Sequence, residues 1–464
     1  MKHHYILITA ITILITIACL ILPMNLSPIW SGKIPMHTNQ YEKMAESLIE
    51  GHLYLNDKVD SSLLNLSNPY DPQLRTSKHV KFNWDHAFYK GHYYMYFGIT
   101  PVIFTFLPYR LITGHNLPTL QATQTFTIIF IIGIFLLFLT LARLFFKTIP
   151  FPMYLCLSVC FSIISVWYIS AAPILYCTAI SAGLAFGIWS IYFFIKSAYN
   201  SGNEKNELIN LAIGSLLGAL TFGCRPPIAL FNIVLIPILI ILLQKREINH
   251  KRILKIGVSL LPYVIVGILL MVYNYLRFDN PFEFGQSYQL TNTDQHNYGA
   301  WGQQNSLIGI LEGLNYMNFK FTTSKLLQNG IFMTFPILFL GIVGLFHKKV
   351  IKTLKEHKLL LFITFLFISN ILISIIDCQY SPFLIPRYRT DILWLTAIAT
   401  YIIIGHLQQN IKNKQIFNIV VYLLAIFCIT MSILLFLEPH DNNFTYYYEL
   451  NSLYQVYRFI LCAL

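Results

Sequence analysis

Apolar runs of about twenty residues recur along most of this chain, each long enough to cross a hydrocarbon core of about 30 Å. Lipid offers a backbone amide no hydrogen-bond partner, so such runs must be helices, which satisfy their amides internally. Composition agrees: the chain is 56% hydrophobic and 11% charged, whereas a soluble domain carries roughly a quarter charged residues. The runs lie near residues 5–23, 119–146, 150–170, 173–196, 207–223, 228–244, 255–276, 328–346, 359–376, 392–409 and 416–437. The expectation is an all-α, polytopic integral membrane protein with about eleven transmembrane helices.

Charge orients these spans. With the N-terminus inside, the cytoplasmic segments hold Lys2, Arg143, Lys147, Lys196, Lys205, the basic run from Lys245 to Lys255, the run from Lys348 to Lys358, Lys412 and Lys414. This is the positive-inside pattern. Of the 20 acids only Glu204, Glu207, Glu247 and Glu356 then fall inside, which concentrates carboxylates on the outer face. The net charge of +12 is spread over short clusters, so nucleic acid is not an expected partner. Residues 5–23 read as an uncleaved first span, since no clean small-x-small cleavage site follows. The eight cysteines include no CxxC pair, and Cys156 and Cys160 read as packing residues on one helix face. The whole chain, 1–464, reads as one transmembrane domain with three long outer segments: the first loop 24–118, a second loop 277–327 and the tail 438–464.

Within the first loop, Asn39 to Gly51 has helical periodicity, with Tyr41, Met44, Ala45, Leu48 and Ile49 on one face, and should lie flat on the membrane. Asn39 suits its N-cap, Glu42 its third position and Gly51 its C-terminal stop, so Glu42 has a structural role open to it. Thr100-Pro101 has the form of a second helix start, in a stretch too short to span.

Four clusters of ionisable residues lie beside the apolar runs, where unpartnered charge is costly. The first joins Asp71 and Arg75 with Trp84, Asp85, Lys90, Tyr93 and Tyr94, a mixture of carboxylates and rings suited to a sugar. Asp71, between Pro69 and Pro72, also reads as a turn former, and Asp85 as the partner of a nearby Lys. The second is Gly223-Cys224-Arg225-Pro226-Pro227, a broken helix with a cation at membrane depth. The third holds Arg277, Asp279 and Glu283, where Arg277 and Asp279 can simply pair. In the fourth, Arg387, Tyr388, Arg389 and Asp391 precede the tenth span on the outer side, against the charge trend and suited to a phosphate fork.

No GxxxxGK[ST] loop, GxGxxG turn or Asp-x-Asp pair occurs, which argues against nucleotide substrates. GxSxG and HExxH are absent too. What remains resembles the GT-C class of polyprenyl-phosphate-sugar-dependent membrane glycosyltransferases. The resemblance rests on Gln40-Tyr41 through Met44-Ala45 to Gly51-His52-Leu53-Tyr54-Leu55, on Asn68-Pro69-Tyr70-Asp71-Pro72, and on Trp84-Asp85 through Tyr93-Tyr94 to Pro101. Arg225-Pro226, the stretch from Arg277 to Gly285, and Arg387-Tyr388 with Asp391 complete it. The class implies a lipid-linked sugar donor and an acidic base in the first outer loop. Many members carry an Asp-Glu pair before the surface helix, where this chain has His37-Thr38, so that pair cannot be carried over. The implied base passes to Asp85, then Asp71, then Glu42. Length and layout also resemble the phage-encoded, serotype-converting O-antigen glucosyltransferases.

The expected activity is inverting transfer of one sugar, glucosyl favoured, from a polyprenyl phosphate to a cell-surface glycan or lipopolysaccharide O-antigen at the outer face of a bacterial plasma membrane. Arg225, Arg387 and Arg389 are the expected phosphate ligands. Arg75, Trp84, Lys90, Tyr93, Tyr94, Arg277, Asp279, Glu283, Tyr388 and Asp391 are the expected substrate contacts. Partners are the donor, a glycan or glycolipid acceptor and membrane lipids; no cofactor is expected and no metal is indicated. Two alternatives stand beside this reading: a transporter or flippase for a lipid-linked or anionic solute, centred on Arg225, and an O-antigen polymerase or ligase.

Overall fold

A computed structural model of the chain describes residues 3–26, 39–247, 249–295, 307–322, 326–380 and 386–437. The tail 438–464 and His37-Thr38 lie outside the described residues.

Each of the expected apolar runs is helical, and nine helices among the described residues are long and apolar enough to cross a membrane. The helices that matter below are α1 (His3–Ile21), α2 (Gln40–Glu50), α3 (Pro72–Ser77), α4 (Thr119–Phe145), α5 (Phe151–Ala171), α6 (Leu175–Tyr199), α7 (Glu204–Leu220), α8 (Leu235–Lys245), α9 (Leu261–Phe278), α10 (Lys348–Glu356), α11 (Leu360–Tyr380), α12 (Arg389–Asn410) and α13 (Lys414–Leu437). Two of the expected spans fall outside these nine. Helix α7 has 17 residues and opens on charged Glu204 and Glu207. The run near 328–346 is cut where Pro336, which lacks an amide hydrogen, ends one turn and starts the apolar helix Pro336–Phe346.

Helix α12 is the axis of the bundle and is buried along nearly its whole length. Between helices in lipid the hydrophobic effect contributes little, so contact rests on van der Waals fit and small residues. Gly187 of α6 shows this, since a Cβ there would come within 2.8 Å of the Trp394 ring. Tyr401 stacks on Phe138 at 3.9 Å and donates to its carbonyl at 3.1 Å. Cys160 packs in the same core. Helix α9, by contrast, presents Val264, Ile268, Leu269 and Val272 outward, a face that lipid covers in a membrane.

The described parts of the loops 24–118 and 277–327 form one cap. Helix α2 buries Tyr41 and Met44, with Tyr41 stacked on Phe106 at 5.3 Å, so it packs on protein through that face. Asn39 makes no side-chain cap bond, whereas Gly51 closes the helix at φ 86° as expected. A two-residue Lys90-Gly91 turn, both residues at positive φ, joins β1 (Ala87–Tyr89) to β2 (His92–Tyr94). The second loop lies alongside: the Phe88 amide donates to Tyr288 at 2.9 Å, and Leu290 exchanges bonds with Asp85 and His86 at 3.1 and 3.0 Å. Thr100 and Pro101 lead into the helix Val102–Thr113, as expected. Just before it, a Cβ on Gly98 would lie 2.2 Å from the Gly223 carbonyl oxygen. This close approach, possible only for glycine, seats the returning first loop on the break between α7 and α8.

Candidate functional site at the junction of cap and helical body

The break expected at Gly223 to Pro227 is present. After α7 the chain makes a turn at Thr221–Gly223, Arg225 is extended (φ −153°), and Pro226 starts the next helical turn without an amide to satisfy. Arg225, an expected phosphate ligand, is already paired within the protein. Its Nε donates to Asp391 at 2.7 Å, and its Nη2 lies 3.8 Å from Asp377. Both acids are buried, and their carboxyl groups are hydrogen-bond neighbours of each other. One guanidinium thus faces two carboxylates, and its charge is compensated by the protein itself. Asp391 sits in the first turn of α12, where the helix dipole favours an anion. It is therefore the partner of Arg225 and not a free substrate contact.

Arg389 also departs from expectation. Its two terminal nitrogens donate to the carbonyls of Leu327, Tyr316 and Gln328, so its fork is occupied by backbone. Arg387 differs from both. It stacks on Tyr176 at 4.0 Å and lies 5.4 Å from the Tyr388 ring, and no carboxylate or backbone carbonyl among the described residues takes its fork; its buried Nε, like that of Arg389, has no hydrogen-bond partner. Tyr388 also lies under Arg225, at 5.3 Å, and so sits near both guanidinium groups.

Above this cluster the cap presents Asp85, buried and held at φ 57°, a left-handed conformation that Asp tolerates better than most residues. Its carboxylate accepts from Gln289 Nε2 at 2.5 Å and from the Trp84 side chain. Its carbonyl accepts from Gln40 Nε2 at 2.9 Å. No lysine pairs with it among the described residues. Burial pushes its carboxyl up to about 6, against the opposing pull of the Arg387 charge and of the bonds from Gln289 and Trp84. Asp85 and Arg387 are thus electrostatic neighbours, one from the cap and one from the body.

The remaining expected site residues are placed elsewhere. Asp71 caps α3, accepting from the amides of Gln73 and Leu74 at 2.8 and 3.2 Å. Glu42 does cap a helix, but it is α4: it accepts from the Thr119 amide at 3.0 Å and hydroxyl at 3.2 Å, and burial raises its carboxyl in spite of those bonds. Arg75 and Arg277 are buried clamps between the loops. Arg75 donates to the carbonyls of Pro69 and Thr291, and Arg277 donates to Met95 at 2.7 Å and Asn274 at 2.8 Å. Asp279 pairs with Lys90 at 2.6 Å instead of with Arg277. Glu283 closes its own loop on Gly285 and Ser287 at 2.6 and 2.8 Å. Tyr93 accepts from the Asn83 amide at 3.2 Å, and Tyr94 packs on Phe278 at 5.2 Å. Of the substrate contacts expected from the sequence, Trp84 and Tyr388 adjoin the Asp85 and Arg387 groups.

Sequence reasoning passed over Asp377, Gln289 and Tyr176, and it placed Gln40 in a motif without giving it a role. Asp377 carried a readable signal, an acid near the end of the otherwise apolar run 359–376; the neutral amides and Tyr176 carried none.

No family model matches this chain, and no curated protein matches it. Among solved structures, the crystal structure of the Archaeoglobus fulgidus oligosaccharyltransferase in the apo form matches 93% of this chain and 56% of its own length, with a TM-score of 0.51 and 11% identity. The chain therefore spans little more than half of that enzyme, and at this identity the likeness is one of fold. The chain has the polytopic, GT-C-like helical membrane fold that its motifs suggested.

Proposed function

We propose that the chain is a membrane glycosyltransferase that moves one sugar, glucosyl favoured, from a polyprenyl phosphate to a hydroxyl of a cell-surface glycan or O-antigen. The reaction takes place at the outer face of a bacterial plasma membrane, with the N-terminus cytoplasmic. The observation that carries this reading is a buried carboxylate of the cap, Asp85, within electrostatic reach of the Arg387 guanidinium of the helical body. The fold likeness to an oligosaccharyltransferase supports it.

In this mechanism Asp85 accepts the acceptor hydroxyl proton as the oxygen attacks the anomeric carbon, help worth roughly 10²–10⁴ in rate. The bond from that carbon to the phosphate oxygen breaks, and the leaving polyprenyl phosphate keeps the electron pair. Arg387 stabilises the charge that grows there. Direct displacement inverts the anomeric centre and requires one carboxylate. Of the three arginines first considered, Arg387 alone has a fork taken by neither a carboxylate nor backbone carbonyls among the described residues. The transporter reading rested on Arg225 as an anion site and loses its support once that charge is compensated by Asp377 and Asp391.

The test is incubation of purified protein in detergent with radiolabelled polyprenyl-phosphate-glucose and candidate glycolipids. Label on the glycolipid, with release of polyprenyl phosphate, is the expected result. Donor recovered intact under every acceptor would overturn the proposal.

A further inference from the structure

At the opposite end of the molecule a groove of about 340 Å³ opens between α8 and α11, within the range of ligand pockets, roughly 300–1,000 Å³. Ile240, Ile241 and Leu361 form its apolar walls, and Gln244, Lys355 and Lys358 line it where α8 ends and α11 begins. Ile240 and Leu361 are exposed, so the walls face the surroundings of the bundle, which are lipid tails in a membrane.

The chemistry of the groove is two-part. Its wall belongs to two helical stretches long enough to span a bilayer, Pro226–Lys245 and Leu360–Gln379, whereas Lys355 of α10 and Lys358 lie beside their ends, at the level of headgroups. Neither Lys355 nor Lys358 pairs with an acid among the described residues. Other cations at this end do: Arg252 donates to Glu207 at 2.7 Å, and Lys255 reaches Glu204 at 3.2 Å. Lys358 is also held in an unusual conformation. Its φ is 57°, which glycine or asparagine adopts at less cost, and the Tyr199 hydroxyl fixes its carbonyl at 3.0 Å. Helix α10, which carries Lys355, is anchored by buried Val350 and Leu354, so its charged side is presented in a fixed orientation.

We infer that this groove binds an anionic phospholipid, its acyl chains against Ile240, Ile241 and Leu361 and its headgroup phosphate on Lys355 and Lys358. The complementarity is of charge at the mouth and of apolar surface along the wall, which a free phosphate or a zwitterionic lipid satisfies only in part. The site is separate from Asp85 and Arg387 and does not depend on the proposed chemistry.

Native mass spectrometry of the purified full chain, titrated with equal amounts of phosphatidylglycerol and phosphatidylcholine, tests it. Each lysine near an anionic headgroup is worth roughly a fivefold change in affinity, so wild-type protein should prefer phosphatidylglycerol by about tenfold or more. The K355Q/K358Q double variant should lose that preference. The K348Q/K349Q variant removes the same charge from exposed positions of α10 that do not line the groove, and should keep it. Equal binding of the two lipids by wild type overturns the inference, as does a preference that survives K355Q/K358Q or is lost equally in K348Q/K349Q. A rise in melting temperature with inorganic phosphate as large as that with phosphatidylglycerol would show a headgroup-only anion site, and would also overturn it.

Discussion

Asp85→Asn protein, folded and inserted in the membrane, should lose about two orders of magnitude or more in kcat while its donor KM stays near the parental value. Asparagine preserves the size of the side chain and can still accept the bond from Gln289, but it cannot take a proton. The same substitution should leave thermal stability at pH 8 unchanged or raise it. The carboxyl is pushed up to about 6 by burial, so its ionised form is disfavoured in the fold. Asp85 therefore favours the folded state most at low pH, and that contribution is lost as pH rises through about 6. Loss of activity without loss of stability separates a reacting group from a structural one. Near-parental kcat in folded Asp85→Asn protein would remove Asp85 from the mechanism and move the test to Asp71.

The second large effect distinguishes two arginines that look alike in the sequence. Arg225→Ala leaves Asp377 and Asp391 buried without their cation, and breaking a buried pair in this way costs about 3–5 kcal/mol. That protein should show a large drop in melting temperature and poor recovery in detergent. Arg387→Ala removes a side chain held by ring stacking, with its Nε unpartnered, so the fold should survive while the donor KM rises and kcat falls. Arg387→Lys keeps the charge but loses the planar fork, and should recover activity only in part. The measurements are melting temperature and donor kinetics on the same preparations. An Arg387→Ala enzyme with parental donor kinetics would exclude Arg387 as the phosphate ligand, and an Arg225→Ala protein of parental stability would contradict the compensated-charge account.

The helices were legible because lipid imposes one rule on every span, so apolar length alone located them. The break at Arg225 was legible from Gly223 and the two prolines for the same local reason. Asp71 was readable as a turn former because its partners are the next few amides. Glu42 shows where local reading stops: a capping role was visible, but the helix it caps begins at Thr119, far along the chain. Arg75, Arg277 and Arg389 looked like ligands because nothing in a sequence reveals the distant backbone carbonyls that take them. The pairing of Asp377 and Asp391 on Arg225 was hidden similarly, although an acid in an apolar run is a signal in its own right. Gln289 left no mark, since a neutral amide reads like any loop residue.

The central claim is that one carboxylate of the cap and one guanidinium of the helical body act on the same substrate. The acid limb of kcat/KM against pH, recorded for wild type and for Arg387→Gln, tests it most directly. Asp85 must be ionised to accept a proton, so the wild-type rate should fall below about pH 6. Since the Arg387 charge holds that carboxyl down, its removal should move the limb to higher pH, on top of the lower rate. A limb that stays in place in Arg387→Gln, or a wild-type rate independent of pH between 5 and 7, would contradict the account.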